Sequence, residues 1–182
     1  MATSSYSPSQ KGLHWLIFLL VIGLYGITFA EDFYPRGTPG RAMVWWLHIS
    51  FGLLLAGAIL ARLGLRLTRG VPDLPSSMST NERRLASLAH LGLYALLIAI
   101  PVIGVVLTWL RGDTLTFFSL FTIPAPFAPD RELGRTIKEL HELAANLILA
   151  LAALHAAAAL WHHYIRRDDV LTRMLPSSRT DA

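Results

Sequence analysis

An all-α, integral membrane four-helix bundle with both termini in the cytoplasm is the fold class this sequence predicts. Three observations carry it. Apolar residues make up 53% of the 182 residues and charged ones only 15%, where a soluble domain has about 25%. Four apolar runs are each long enough to cross about 30 Å of hydrocarbon as helices. No internal repeat and no polar second domain interrupts them, so one domain spanning 1–182 is the economical organisation.

The first span is expected over 11–30, "KGLHWLIFLLVIGLYGITFA". A secretory leader is its rival, but the apolar stretch is longer than the 7–15 residues of such a leader and no A-x-A site follows. The second is expected over 41–61, and the third over 85–110, with Pro101 and Gly104 as a kink in its outer half. The fourth is expected over 135–164, its last turns reaching the headgroups. The linker "TRGVPDLPSSMSTNE" reads as irregular, with Ser, Thr or Asn available to cap the third helix. The loop "RGDTLTFFSLFTIPAPFAPD" is rich in proline and aromatics and is expected to lie on the membrane surface over the mouth of the bundle.

Orientation follows from Lys and Arg. An even number of spans puts both termini on one side, with Lys11, the linker residues Arg62, Arg66, Arg69, Arg83 and Arg84, and the tail residues Arg166, Arg167, Arg173 and Arg179. The other side holds Arg36, Arg41, Arg111, Arg131, Arg135 and Lys138. Ten against six favours cytoplasmic termini. The same placement argues against nucleic acid as a partner despite the net charge of +4, because the cations flank apolar spans rather than forming a patch. The chain has no cysteine, which excludes disulfides, thiolate metal sites and covalent c-type haem attachment.

Chemistry rests on seven histidines. An imidazole among apolar residues costs free energy unless it is partnered. His14 falls near the start of the first span, His48 in the outer half of the second, His90 near the start of the third, and His141 and His155 bracket the fourth. Fourteen residues at about 100° each fall about 40° short of four turns, so His141 and His155 leave nearly one face, about 21 Å apart along the axis. The stripe between them, Ala145, Ile148, Ala152, then Ala159, is small enough for a flat macrocycle to approach, although small residues also simply pack membrane helices. His48 and His141 share the outer leaflet. His155 needs an inner partner, and both His14 and His90 are available. Two imidazoles facing each other match a low-spin b haem, whereas a closed zinc site wants four ligands.

At these residues the chain resembles the prokaryotic cytochrome b561 family over nearly its whole length. The matching pieces are "LHWLIFLLV", "LHISFG", "AHLGLYALLIAIPVIG", "KELHELAANL" and "LHAAAALWHHY". The resemblance implies a bacterial inner-membrane cytochrome with two haems b, the inner held by His14 and His155 and the outer by His48 and His141. It thereby selects His14 over His90. It also implies electron exchange with quinone, and in some members oxidation of superoxide at the periplasmic face with ubiquinone as acceptor.

The residues suit that chemistry. Arg36, Arg41 and Arg135 are candidates for steering an anion such as superoxide at the outer face. His162, seven residues beyond His155 and about 10 Å nearer the cytoplasm, is a candidate to bind or protonate quinone, with His90 a second contact; His163 points to headgroups. Family members can carry lysines in the second linker that this chain lacks, leaving Arg83, Arg84 or serine hydroxyls to take their place. The alternative function is a membrane-anchoring cytochrome b subunit of a larger dehydrogenase or hydrogenase, for which the apolar outer loop would be the docking surface.

Overall fold

The computed structural model describes residues 5–75 and 77–176; Arg179, used in the orientation count, and Ser76 of the linker lie outside them. Helix α1 runs Pro8–Phe29 and ends in a short 3-10 turn, Ala30–Phe33. Helix α2 is Pro39–Arg69, α3 is Thr80–Leu110 and α4 is Arg131–Trp161, followed by a π-helical turn over His162–Arg166. Between α3 and α4 a small antiparallel hairpin pairs β1 (Leu115–Phe117) with β2 (Phe121–Ile123).

Each helix starts where its sequence supplies a cap. Ser7 with Gln10 and Ser79 with Glu82 form reciprocal capping boxes, satisfying N–H groups that have no intrahelical partner. Thr38 caps α2, and Asp130 accepts from the N–H of Glu132 and Leu133 at 3.0 Å. Every helix starts earlier than expected, α3 by five residues at Thr80, and α2 ends eight later, at Arg69. Arg62, Arg66 and Arg69 are not linker residues: nothing breaks α2 before Gly70, at φ +69°, so they occupy its last two turns. There they spread their heads toward polar atoms, Arg62 reaching Tyr94 Oη and Gln10 O at 3.2 and 3.0 Å. Helix α4 begins four residues early because Asp130 caps it.

Two helical hairpins, α1 with α2 and α3 with α4, pack through α2 against α3. A cluster of Ile17, Leu55, Ala58 and Ile59 forms the core between α1 and α2. Across the α1–α4 seam, Tyr25 donates to Asn146 Oδ1 at 2.8 Å. All four helices are long and apolar enough to cross a membrane, and Leu19, Leu60, Leu91 and Leu154 are each more than 60% exposed. Water would make such surface a liability, whereas lipid tails make it the outer surface of a multi-pass inner-membrane protein.

The face bearing the termini is tied together by the tail. Trp15 Nε1–H donates to Met174 O at 3.0 Å, Ser5 Oγ to Arg173 O at 3.2 Å and Arg166 to Ser77 O at 3.0 Å. Arg83 donates to Met78 O and Pro75 O, so it holds the linker in shape. At the opposite face the α3–α4 loop starts at the mouth of the bundle, with Arg111, Asp113 and Leu115 lining the space between the helices. Its hairpin folds against α2, because Ser50 and the Trp46 and Phe51 rings hold its first strand and turn there.

Candidate functional site

Along α4, His141 and His155 each face an imidazole from another helix. His48 on α2 stands opposite His141 with ring centres 6.3 Å apart and planes at 71°. His14 on α1 stands opposite His155 at 6.4 Å and 72°. Two imidazoles bound trans to one metal, at about 2.0 Å per bond, place their ring centres about 6.3 Å apart. The centre-to-centre spacing of each pair matches that value. His90 is also beside His155, but at 5.3 Å, about 1 Å too close for trans ligation. Its Nδ1–H donates to Ala86 O at 2.7 Å, one turn back on its own helix.

The polar bookkeeping and the available space agree with a bound group at the His48–His141 level. Buried Nδ1 atoms of His48 and His141 meet no hydrogen-bond partner among the described residues, a costly state for polar atoms held away from water. A cavity of about 540 Å³ surrounds the pair, reaching Gly52 on α2, Gly104 on α3 and Ala145 on α4, within the range of small-molecule sites. A Cβ on Gly104 would stand 3.1 Å from His141 Cε1, so only glycine leaves that ring undisturbed. Of the small stripe, Ala145 and Ile148 line this cavity. Among the described residues no cluster of three or more His, Cys, Asp or Glu exists that could hold a metal directly, so a closed zinc site does not fit and a haem-type group does.

The rim of the cavity is of mixed charge. Glu31, Asp32, Asp113 and Glu142 line it together with Arg111 and Lys138. Arg41 is paired with Glu31, and Lys138 with Glu142. Arg36 and Arg135 are exposed and stand outside the lining. Arg111, which lies over the Trp45 ring at 5.7 Å, is the arginine that reaches the opening; Trp45 in turn packs edge-on to His48.

Toward the terminal face, His162 is buried and Asp168 accepts its Nδ1–H at 2.6 Å. The contact exists because the π turn ends at Arg167, in the left-handed region at φ +54°, which swings Asp168 back under α4. Burial pushes the Asp168 carboxyl up, but the hydrogen bond from His162, the Val170 N–H and the charges of His162 and Arg166 outweigh it and hold it below the usual carboxylate value. Asp168 was not among the residues expected from sequence, and its signal was the acidic pair directly after two arginines; Arg111 belongs to the outer-face cations that the sequence offers for steering an anion.

Membrane-crossing helices, facing imidazoles in the interior and no cysteine for covalent attachment define a b-type cytochrome that transfers electrons in the membrane. Comparison with known proteins gives it a family. The prokaryotic cytochrome b561 model matches residues 5–177, and the chain belongs to that family. It is 34% identical over 175 residues to a probable superoxide oxidase, CybB, of Yersinia pestis, covering 96% of this chain and 97% of the relative. It is 30% identical to cytochrome b561 homolog 1 of Escherichia coli K12, over 94% of this chain and 97% of that one. To cytochrome b562 of Cereibacter sphaeroides it is 30% identical, over 93% and 94%.

Proposed function

We propose that the protein binds two haems b, one between His48 and His141 and one between His14 and His155, and oxidises superoxide at the periplasmic face while reducing ubiquinone near the terminal, cytoplasmic face. The observation that carries this reading is the pair of imidazole gaps of 6.3 and 6.4 Å at two levels of one helix. The likeness to a probable superoxide oxidase of Yersinia pestis supports superoxide as donor. Cytoplasmic termini are supported by the excess of arginine at the terminal face. When bound, haem b would be held by these histidine pairs and would supply one-electron redox chemistry.

The chain's own residues divide the remaining work. Two superoxide anions release two electrons and leave as two O₂, and one ubiquinone takes up those electrons with two protons to become ubiquinol. Arg111 at the cavity mouth, with Arg36 and Arg135 further out, attracts the anion; Arg41, paired with Glu31, contributes less net field. His162 is the group assigned to quinone. Its Nδ1 is committed to Asp168, so Nε2 is the nitrogen that exchanges a proton with a quinone oxygen. His90, one ring away from His155, is assigned as a second contact on that side.

The test is anaerobic. The purified haem-loaded protein is mixed with a superoxide source, then with a short-chain ubiquinone, while the visible spectrum is followed. Reduction by superoxide and reoxidation by quinone is the expected result; haem that stays oxidised with superoxide, while other donors reduce it, overturns the assignment. An anchoring subunit of a larger dehydrogenase is the second reading, and it draws on the exposed apolar side chains of the β1–β2 hairpin.

A further inference from the structure

Those side chains have a different occupant. We infer that the β1–β2 hairpin is an interfacial lipid anchor, seated at the headgroup–acyl boundary of the outer leaflet, and not a docking surface for a soluble partner. The hairpin turns back along α2, and Ser50 marks how far. Ser50 is fully buried; its hydroxyl donates to Thr116 O and accepts the Phe118 N–H, both at 3.1 Å. It lies nine residues into α2 from Arg41, about 13 Å along the axis, and four beyond Trp46, about 6 Å. Trp rings mark the membrane–water interface, so the turn of the hairpin sits below that level. The ion pair Lys138–Glu142 near this level is on α4, whereas the hairpin packs on α2 and α3.

Three features of the hairpin fit lipid better than water or protein. Ser50 does for the turn what water does for an exposed one, satisfying a carbonyl and an N–H that would otherwise be orphaned. The turn places Phe118 and Ser119 at φ +44° and +59°, positions where a hairpin facing water uses Asn-Gly or Asp-Gly. From Thr114 to Pro129 no residue is charged, and Leu120, Phe121 and Ile123 are 76%, 52% and 39% exposed. A partner interface would carry a polar rim around its apolar centre. The free outer edge of β2 fixes the level: unpaired backbone groups are excluded from the bilayer centre but tolerated at the boundary, where water still reaches.

The absence of native cysteine makes a site-directed test direct. Leu120→Cys is labelled with a nitroxide in the haem-loaded protein, in nanodiscs of phosphatidylethanolamine and phosphatidylglycerol, and collision with oxygen and with a water-soluble nickel chelate is measured. Leu60→Cys, on the exposed apolar side of α2, and Arg36→Cys, in the α1–α2 loop, are the lipid and water references. At position 120 nickel collisions several-fold below Arg36→Cys, with oxygen collisions raised toward the Leu60→Cys value, are expected. A label as open to nickel as Arg36→Cys overturns the anchor and returns the surface to an aqueous partner. Spin–spin broadening that disappears on dilution with unlabelled chain overturns it in favour of a second copy. Phe121→Cys repeats the measurement at the first residue of β2, so one poorly folding variant does not decide it.

Discussion

The two levels of α4 carry the same pair of imidazoles in opposite surroundings. Around His48 and His141 the helices part into a cavity of about 540 Å³ with charged groups at its rim. Around His14 and His155 the neighbours differ: a third ring, His90, leans on His155, and the tail straps α1 and the linker together. The ring spacing is therefore common to both ends, and what differs is the surroundings. One end is built to be reached; the other holds a buried histidine–aspartate pair beside it. A one-electron donor needs only the first arrangement, while quinone, which takes protons with its electrons, needs the second.

The largest effect that tests this comparison is loss of a haem. His141→Ala or His48→Ala should lower haem content from two per chain to one and leave the terminal-face haem in place, and His155→Ala should do the reverse. His14→Ala should match His155→Ala, whereas His90→Ala should keep both haems, because its ring centre stands 5.3 Å from His155 and its Nδ1 is committed to Ala86 O. Haem content by pyridine haemochrome, with a redox titration to tell the two apart, reads the outcome. Two haems retained in His155→Ala would break the assignment at the terminal-face level.

That distinction between His14 and His90 shows where sequence stops being enough. The four spans were legible because each is a long uncharged run, and the two levels because fourteen residues bring His141 and His155 onto one face. His14 and His90 both begin a helix at the same depth, so periodicity has nothing to separate them; a ring spacing does. The ends of α2 were misplaced because arginine reads as linker, yet its aliphatic stem lets it continue a helix while its head leaves the membrane. The hairpin was unreadable because its turn is Phe-Ser rather than a glycine turn. Asp168 was missed because its role depends on one left-handed residue, Arg167, a backbone choice with no sequence period.

A second, smaller effect separates proton chemistry from haem binding at the terminal end. His162→Ala should keep both haems and slow ubiquinone reduction about 100-fold, in the range for losing a general acid, while leaving reduction by superoxide unchanged. Asp168→Asn should slow it by about tenfold, as loss of a partner that orients a functional ring does. The pH dependence has a sign. Asp168 titrates below the usual value in the folded chain, so its stabilising contact with His162 is complete above the unfolded value of about 3.9 and is lost as pH falls through the folded value. Wild type should therefore lose quinone reduction in an extra step below about pH 4, and Asp168→Asn should lack that step. Loss of haem in His162→Ala would make it a ligand and remove the contrast between the ends.

The finest test compares two glycines on α3, one at each level. A Cβ on Gly104 would stand 3.1 Å from Cε1 of His141, the ring proposed as a haem ligand, whereas a Cβ on Gly92 would stand 3.1 Å from Cδ2 of Leu151, the free end of a flexible side chain. Both substitutions to alanine gain the same intrinsic helix preference, about 1 kcal/mol, so the backbone term cancels and only the neighbour differs. Leu151 can rotate aside; the imidazole must tilt, which overpacking makes costly by about 1–3 kcal/mol. Gly92→Ala should leave both haem midpoint potentials unchanged and raise thermal stability slightly. Gly104→Ala should shift the potential and Soret band of the His48–His141 haem alone. Equal behaviour of the two variants would mean that His141 is not held rigidly, and that the cavity beside it is slack space rather than a fitted site.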